Sequence, residues 1–141
     1  MTDVAFHFNA PDKLAYACRL LRKASAQGAK VAVVGSAADL HSLDQALWTL
    51  SPQDFIAHAL WPSEAVVWQA SPVLLCEQPN QSHHREVLLN LSADVPAGFD
   101  EFDRLIEVVT LDETDRAAAR VRWKHYSAQG LNLVRHDLAS A

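Results

Sequence analysis

The alternation of apolar runs with amphipathic stretches limits the fold of this chain more than any other feature. Residues 3–8, DVAFHF, alternate in the manner of a strand, and residues 12–27 carry apolar side chains at the spacing of a helix. Residues 29–35, AKVAVVG, form a β-branched run typical of a buried strand, and residues 36–50 return to helical spacing. This order predicts an α/β domain with a mostly parallel or mixed central sheet flanked by helices.

The rest of the chain extends the same pattern. Helices are predicted at residues 99–109 and 112–130, and strands at residues 54–61, 87–92 and 131–138. Residues 65–69 and 72–78 are interpreted either as strands or as one strand and a loop. No repeat or linker is visible, so the 141 residues predict a single domain covering residues 1–141.

Composition excludes several classes of protein. With 12 Lys and Arg against 17 Asp and Glu, the net charge is −5, which argues against general coating of nucleic acid. No apolar run is long enough to span a membrane and the start has no basic, apolar leader, so a cytoplasmic protein is expected. Cys18 and Cys76 are interpreted as buried thiols in a reducing compartment, with a disulfide between them as the alternative.

The motifs do not favour a cofactor, a metal site or a catalytic site. Gly35 and Ser36 follow a predicted strand, but the further glycines and the lysine of a phosphate-binding loop are absent. The 7 histidines lack the spacing of metal ligands. No nucleophile motif is recognised, and a small α/β enzyme that uses His58 or His136 is kept as a separate hypothesis.

Positive charge gathers on the predicted C-terminal helix. Arg116, Arg120 and Lys124 recur every four residues, and Trp123 lies with them in an arc of roughly 100°. Small residues at the other positions are expected to pack on the sheet: Ala117, Ala118, Val121 and Ala128. The cations and the indole predict a docking site for an acidic peptide with an apolar end. The alternative is a solvated helix face with an amphipathic aromatic side chain.

A second aromatic pair lies near the middle of the chain. Trp48 points about 40–80° away from the leucine stripe of its own helix, and Phe55 follows in the next segment. These positions fit either the edge of the core or an exposed anchor for a partner protein.

Two ordered sets of residues resemble the chi subunit family of bacterial DNA polymerase III. The first set is Leu43-Asp44-Gln45-Ala46-Leu47-Trp48, followed by Phe55 and His58. The second set is Arg120-Val121-Arg122-Trp123-Lys124-His125-Tyr126, followed by Gly130-Leu131-Asn132-Leu133. The strands FHF and GAKVAVV stand in the same order, so the resemblance covers nearly the whole chain. Trp123 stands where a Tyr is usual in the family.

The resemblance implies a non-catalytic adaptor of the replisome, with a fold like that of nucleotide-binding proteins but no phosphate loop and no cofactor. It implies a link between the clamp loader, reached through the psi subunit, and the acidic C-terminal tail of single-stranded DNA-binding protein. The alternative function is direct binding of single-stranded nucleic acid by the basic and aromatic C-terminal helix.

The resemblance also implies two sets of site residues. The residues matching the tail site are Arg116, Arg120, Trp123 and Lys124, with Val109 or Leu111 expected to supply its apolar wall. Trp48 and Phe55 match the surface for psi or an accessory helicase.

Overall fold

The structure is a computed structural model and describes residues 2–49 and 56–140. In these residues seven strands form one sheet in the order β3-β4-β2-β5-β6-β1-β7. The strands are β1 Asp3–Ala10, β2 Val31–Val34, β3 His58–Leu60, β4 Val73–Cys76, β5 Val87–Asn90, β6 Arg104–Thr110 and β7 Asn132–Asp137. All pairings between these strands are parallel, which confirms the predicted α/β class.

Helices cover both faces of the sheet, as parallel strands require. They are α1 Lys13–Ala26, α2 Ala37–Trp48, α3 Ala65–Ala70 and α4 Glu113–Ala128. The leucines of α1 and α2 join the core on one face, while Trp68 of α3 and Tyr126 of α4 join the core on the other. Cys18 lies in the first core and Cys76 in the second, so the two thiols are free and separated by the sheet.

Local signals set the ends of these helices. Asp12, Ser36 and Asp112 are the N-caps of α1, α2 and α4, and each side chain accepts a hydrogen bond from a backbone N–H of the first turn. Ser36 follows β2 at the place where a phosphate loop would lie, and its hydroxyl is engaged by the N–H of Asp39 at 3.1 Å. That turn therefore serves as a helix start.

Residues 65–69 are neither the strand nor the loop that the sequence predicted, since this segment belongs to helix α3, whereas residues 72–78 contain strand β4. Val66 is 80% exposed, and Trp68 is the buried residue of this helix. The β-branched residues of the segment therefore do not mark a buried strand. The segment connects the parallel strands β3 and β4, and such a crossover is usually helical.

The predicted helix at residues 99–109 was also wrong. Phe99–Glu101 form a short 3-10 turn, and the residues that follow form β6. This strand is buried on both faces, so it lacks the alternation that marks a half-exposed strand. Its apolar residues then matched a helical spacing by coincidence.

In the part of the chain that the structure describes, no helix has the length and apolar character to cross a membrane.

Candidate functional site

A buried polar cluster sets the rotation of α4 on the sheet. Glu107 of β6 lies fully buried and accepts hydrogen bonds from Arg122 Nε at 3.0 Å and Tyr126 Oη at 2.5 Å. The side-chain amide of Asn90, at the end of β5, donates to both carboxylate oxygens at 3.0 and 3.1 Å. Arg122 also donates from Nη1 to the carbonyl oxygen of Ala93 at 2.8 Å. The cluster therefore ties α4 to β5, β6 and the loop between them.

The protonation of this cluster follows from its burial. Burial raises the pKa of the Glu107 carboxyl, and the Arg122 guanidinium and the Tyr126 and Asn90 donors limit that rise. The side chains that hydrogen-bond to the two oxygens, those of Asn90, Arg122 and Tyr126, are all donors, an arrangement that favours the ionised carboxylate. Burial beside this carboxylate in turn raises the pKa of the Tyr126 phenol.

The buried face of α4 differs from the predicted one. Ala119, Arg122 and Tyr126 face the sheet, whereas Val121 is 67% exposed and Ala117 is also exposed. Because Arg122 is buried and paired with Glu107, it contributes nothing to the surface charge of the helix. This rotation leaves Arg116, Arg120 and Lys124 exposed.

A cavity of about 340 Å³ lies between α4 and the edge of the sheet formed by β1 and β7. Its apolar lining consists of Phe6, Phe8, Val109, Ala119 and Trp123, and its charged lining consists of Arg116, Arg120 and Arg135. No acidic side chain among residues 2–49 and 56–140 lines it. An aromatic floor with a rim of guanidinium groups can hold an anion that carries an apolar group.

Trp123 is the central aromatic of this cavity. Its ring is half-buried and meets Phe6 edge-on, with the ring centroids 5.1 Å apart. The guanidinium of Arg135 lies over Phe8 at 5.1 Å from the ring centroid and over Trp123 at 5.8 Å. The indole is thus held in place, with one face under a cation.

The predicted cations differ in their surroundings. Arg120 lines the cavity and pairs with Glu113 at 3.0 Å, but both side chains are largely exposed, at 59% and 77%, and such pairs are weak. Arg116 lines the cavity without an ion pair to any described residue. Lys124 is exposed and does not line the cavity. Of the two apolar candidates, Val109 lines the cavity, whereas Leu111 is exposed.

Sequence reasoning missed four residues of this cavity: Phe6, Phe8, Ala119 and Arg135. Phe6 is paired in register with Arg135 of β7, so their side chains lie on the same face of the sheet. The alternation in DVAFHF already places Phe6 and Phe8 on one face. The sequence did not show that β1 and β7 are neighbours in the sheet, because that pairing joins the first strand to the last.

Trp48 lies on a separate surface at the far edge of the sheet. It is 58% exposed at the end of α2, and its ring lies 4.8 Å from the ring of His58. His58 is buried, with Nδ1 2.8 Å from the carbonyl oxygen of Ile56 and Nε2 3.0 Å from Asp44 Oδ1. The structure therefore places Trp48 on the surface, against a fixed imidazole. Phe55 lies outside the described residues.

The separate hypothesis of an enzyme named His58 and His136, and the structure places His136 at an exposed position of β7. Both ring nitrogens of His58 face oxygen acceptors within the protein, so neither is available to a substrate. Within the described ranges, no three His, Cys, Asp or Glu side chains come together as metal ligands do.

Comparison with known proteins agrees with the resemblance seen in the sequence. The family described as DNA polymerase III chi subunit, HolC, matches residues 1–134. DNA polymerase III subunit chi of Pseudomonas aeruginosa is 34% identical over 127 residues, which cover 89% of this chain and 87% of that protein. The subunit chi of Haemophilus influenzae is 29% identical over 118 residues, covering 83% and 81% of the two chains. The chain therefore belongs to the DNA polymerase III chi subunit family.

Proposed function

We propose that this protein is a non-catalytic adaptor in DNA replication that binds the acidic C-terminal tail of single-stranded DNA-binding protein in the cavity beside α4. The observation that carries the proposal is the lining of that cavity, which joins an aromatic floor to Arg116, Arg120 and Arg135 in a chain of net charge −5. Membership of the chi family supports an accessory role in replication.

The chemistry of the tail matches the two parts of the cavity. A terminal carboxylate can accept two parallel hydrogen bonds from one guanidinium, and acidic side chains before it can meet the others. An apolar terminal ring would lie against the edges of Trp123 and Phe8, beside Arg135 rather than beneath it. Lys124, outside the cavity, would act on the acidic residues further from the end of the tail.

A second surface would connect the adaptor to the clamp loader. The exposed indole of Trp48, held against His58, has the character of an aromatic anchor for the psi subunit or an accessory helicase. It lies near β3, at the edge of the sheet opposite β7, so both partners could bind at once.

The first prediction tests the tail site with a synthetic peptide of several Asp residues ending in Pro-Phe. Arg120→Ala is expected to weaken binding about tenfold, because it removes a charge-assisted contact to the carboxylate. Isothermal titration calorimetry at two salt concentrations measures this, and the wild-type affinity should fall as salt rises.

Three controls make this experiment decisive. Lys30→Ala removes a cation that does not line the cavity and should change binding little. Glu113→Ala removes the ion-pair partner of Arg120 and should tighten binding of the peptide, an effect opposite to that of Arg120→Ala. A peptide ending in Ala should bind weakly. Equal binding of both peptides, or no effect of Arg120→Ala, would refute the site.

The same titration separates the adaptor from direct binding of single-stranded nucleic acid. Stacking of a base needs an open aromatic face, but Trp123 meets Phe6 at its edge and carries Arg135 over its ring. An oligonucleotide that binds wild type as tightly as the peptide, and is lost in Trp123→Ala, would favour the alternative.

The second prediction concerns Trp48. Trp48→Ala is expected to leave the melting temperature nearly unchanged, because the side chain is mostly exposed, while binding of psi falls about tenfold. Thermal unfolding and co-purification with psi measure the two effects. Val66→Ala, which removes another exposed apolar side chain near β3, is the matched control. A large drop in melting temperature without loss of binding would contradict the proposed anchor.

A further inference from the structure

A second cavity, of about 290 Å³, lies on the opposite face of the sheet, under the C-terminal end of α1. Its floor is apolar and includes Leu20 and Leu21 of α1, Leu89 of β5 and Ile106 of β6. It does not share a lining residue with the cavity beside α4, and the proposed function makes no use of it.

Positive groups converge on this second cavity. Lys23 and Arg104 line it, and neither makes an ion pair or a side-chain hydrogen bond with any residue that the structure describes. No described acidic side chain belongs to the lining. Asp3 is paired in register with Arg104 across β1 and β6, but it neither lines the cavity nor forms an ion pair with that arginine. The two cations are therefore available to an anion.

The carbonyl groups at the C-terminal end of α1 do not need a cation as their hydrogen-bond partner. Its last carbonyl groups accept hydrogen bonds from the backbone N–H groups of Gln27, Gly28 and Ala29. The negative end of the helix dipole is thereby largely satisfied by the chain itself, so Lys23 is not required as a cap.

Two imidazoles complete the polar side of the cavity. The rings of His7 and His136 lie 4.7 Å apart, and Nδ1 of His7 is 2.5 Å from the Tyr16 hydroxyl. Burial, and then the charges of His136, Arg104 and Lys23, lower the pKa of His7 to about 4. The positive charge at this apolar pocket comes from Lys23 and Arg104 of its lining.

We propose that this cavity binds a small organic anion, a carboxylate or phosphate attached to a compact apolar group. Arg104 and Lys23 would hold the anion at the mouth, and the apolar group would lie on Leu20, Leu21 and Ile106. A volume near the lower end of the range for small-molecule sites fits one ring or a short acyl chain, not a dinucleotide.

The test uses 3-phenylpropionate and phenyl phosphate as probes of the two anion classes. Methyl resonances of Leu20, Leu89 and Ile106 are followed by NMR while each probe is titrated into the full-length protein. Saturable shifts of these methyls are expected with one or both probes, and the stronger probe identifies the class. The neutral analogue 3-phenylpropanol and inorganic phosphate alone should each bind at least fivefold more weakly.

Variants separate recognition of charge from filling of the pocket. Arg104→Gln and Lys23→Gln are each expected to weaken binding at least fivefold, while Arg19→Gln, one turn earlier on α1, changes it little. Ala24→Leu fills the cavity and keeps both charges, and it should also abolish the methyl shifts. Absence of shifts with both probes overturns the proposal, as does equal binding of the neutral analogue or full binding by the two Gln variants. Shifts caused only by the acidic peptide would assign the cavity to a protein partner instead and would equally overturn it.

Discussion

Arg122→Ala lowers the free energy of unfolding by about 3–5 kcal/mol, because it leaves the carboxylate of Glu107 buried without its counter-ion. The two side chains are 1% and 0% exposed, and their contact is 3.0 Å long. The variant also leaves the carbonyl of Ala93 without its donor. Denaturation by urea, followed by circular dichroism, measures the loss.

The loss should depend on pH in a defined direction. Without the guanidinium that opposes it, burial raises the pKa of Glu107 further above its unfolded value. A raised pKa means that the folded state binds the proton more tightly, so stability is lost as pH rises. The deficit of Arg122→Ala should therefore be larger at pH 8 than at pH 5.

Two comparisons test whether burial is the cause. Arg120→Ala breaks an ion pair of the same length between exposed side chains, and we expect a loss below about 1 kcal/mol. In the double variant Arg122→Ala/Glu107→Gln the loss should be smaller than the sum of the two single losses, because no buried charge remains. A deficit of Arg122→Ala equal to that of Arg120→Ala would contradict this interpretation.

The same buried pair explains what the sequence could not predict about α4. Spacing on a helix shows which residues share a face, but it does not show which face meets the sheet. An arginine is ordinarily assigned to the surface, and only a buried acid beside it reverses that assignment. Since residues 99–109 were predicted as a helix, Glu107 was not recognised as part of a strand that Arg122 could reach.

The class of fold was predictable because it depends on the order of elements, and each of the earlier strands and helices carries its own local signal. Asp12 and Ser36 mark helix starts, and the run at residues 31–34 marks a strand buried on both faces.

Only the helical side of the cavity beside α4 could be predicted from the sequence. Arg116, Arg120 and Trp123 share a helix, whereas Phe6 and Arg135 reach them only through the pairing of the first strand with the last.

Acidification from pH 7 to pH 4 destabilises the protein partly through His7. The pKa of this imidazole is lowered from 6.5 to about 4, first by burial and then by His136, Arg104 and Lys23. In this window the unfolded chain binds a proton that the folded protein resists, so stability is present above pH 6.5 and is lost as pH falls. The full shift corresponds to about 3 kcal/mol, and solvent screening at this partly exposed ring reduces it to about 2 kcal/mol.

His7→Gln should remove this part of the acid sensitivity, because the amide does not titrate. Its unfolding free energy is expected to fall less than that of wild type between pH 7 and pH 4.5, with urea denaturation as the measurement. Carboxylates titrate equally in both proteins, so the difference between the two curves isolates His7. The same substitution at the exposed His41 serves as the control, and its stability should depend on pH as that of wild type does. Parallel curves for His7→Gln and wild type would mean that burial and the neighbouring groups do not lower the pKa of this imidazole, and would contradict the prediction.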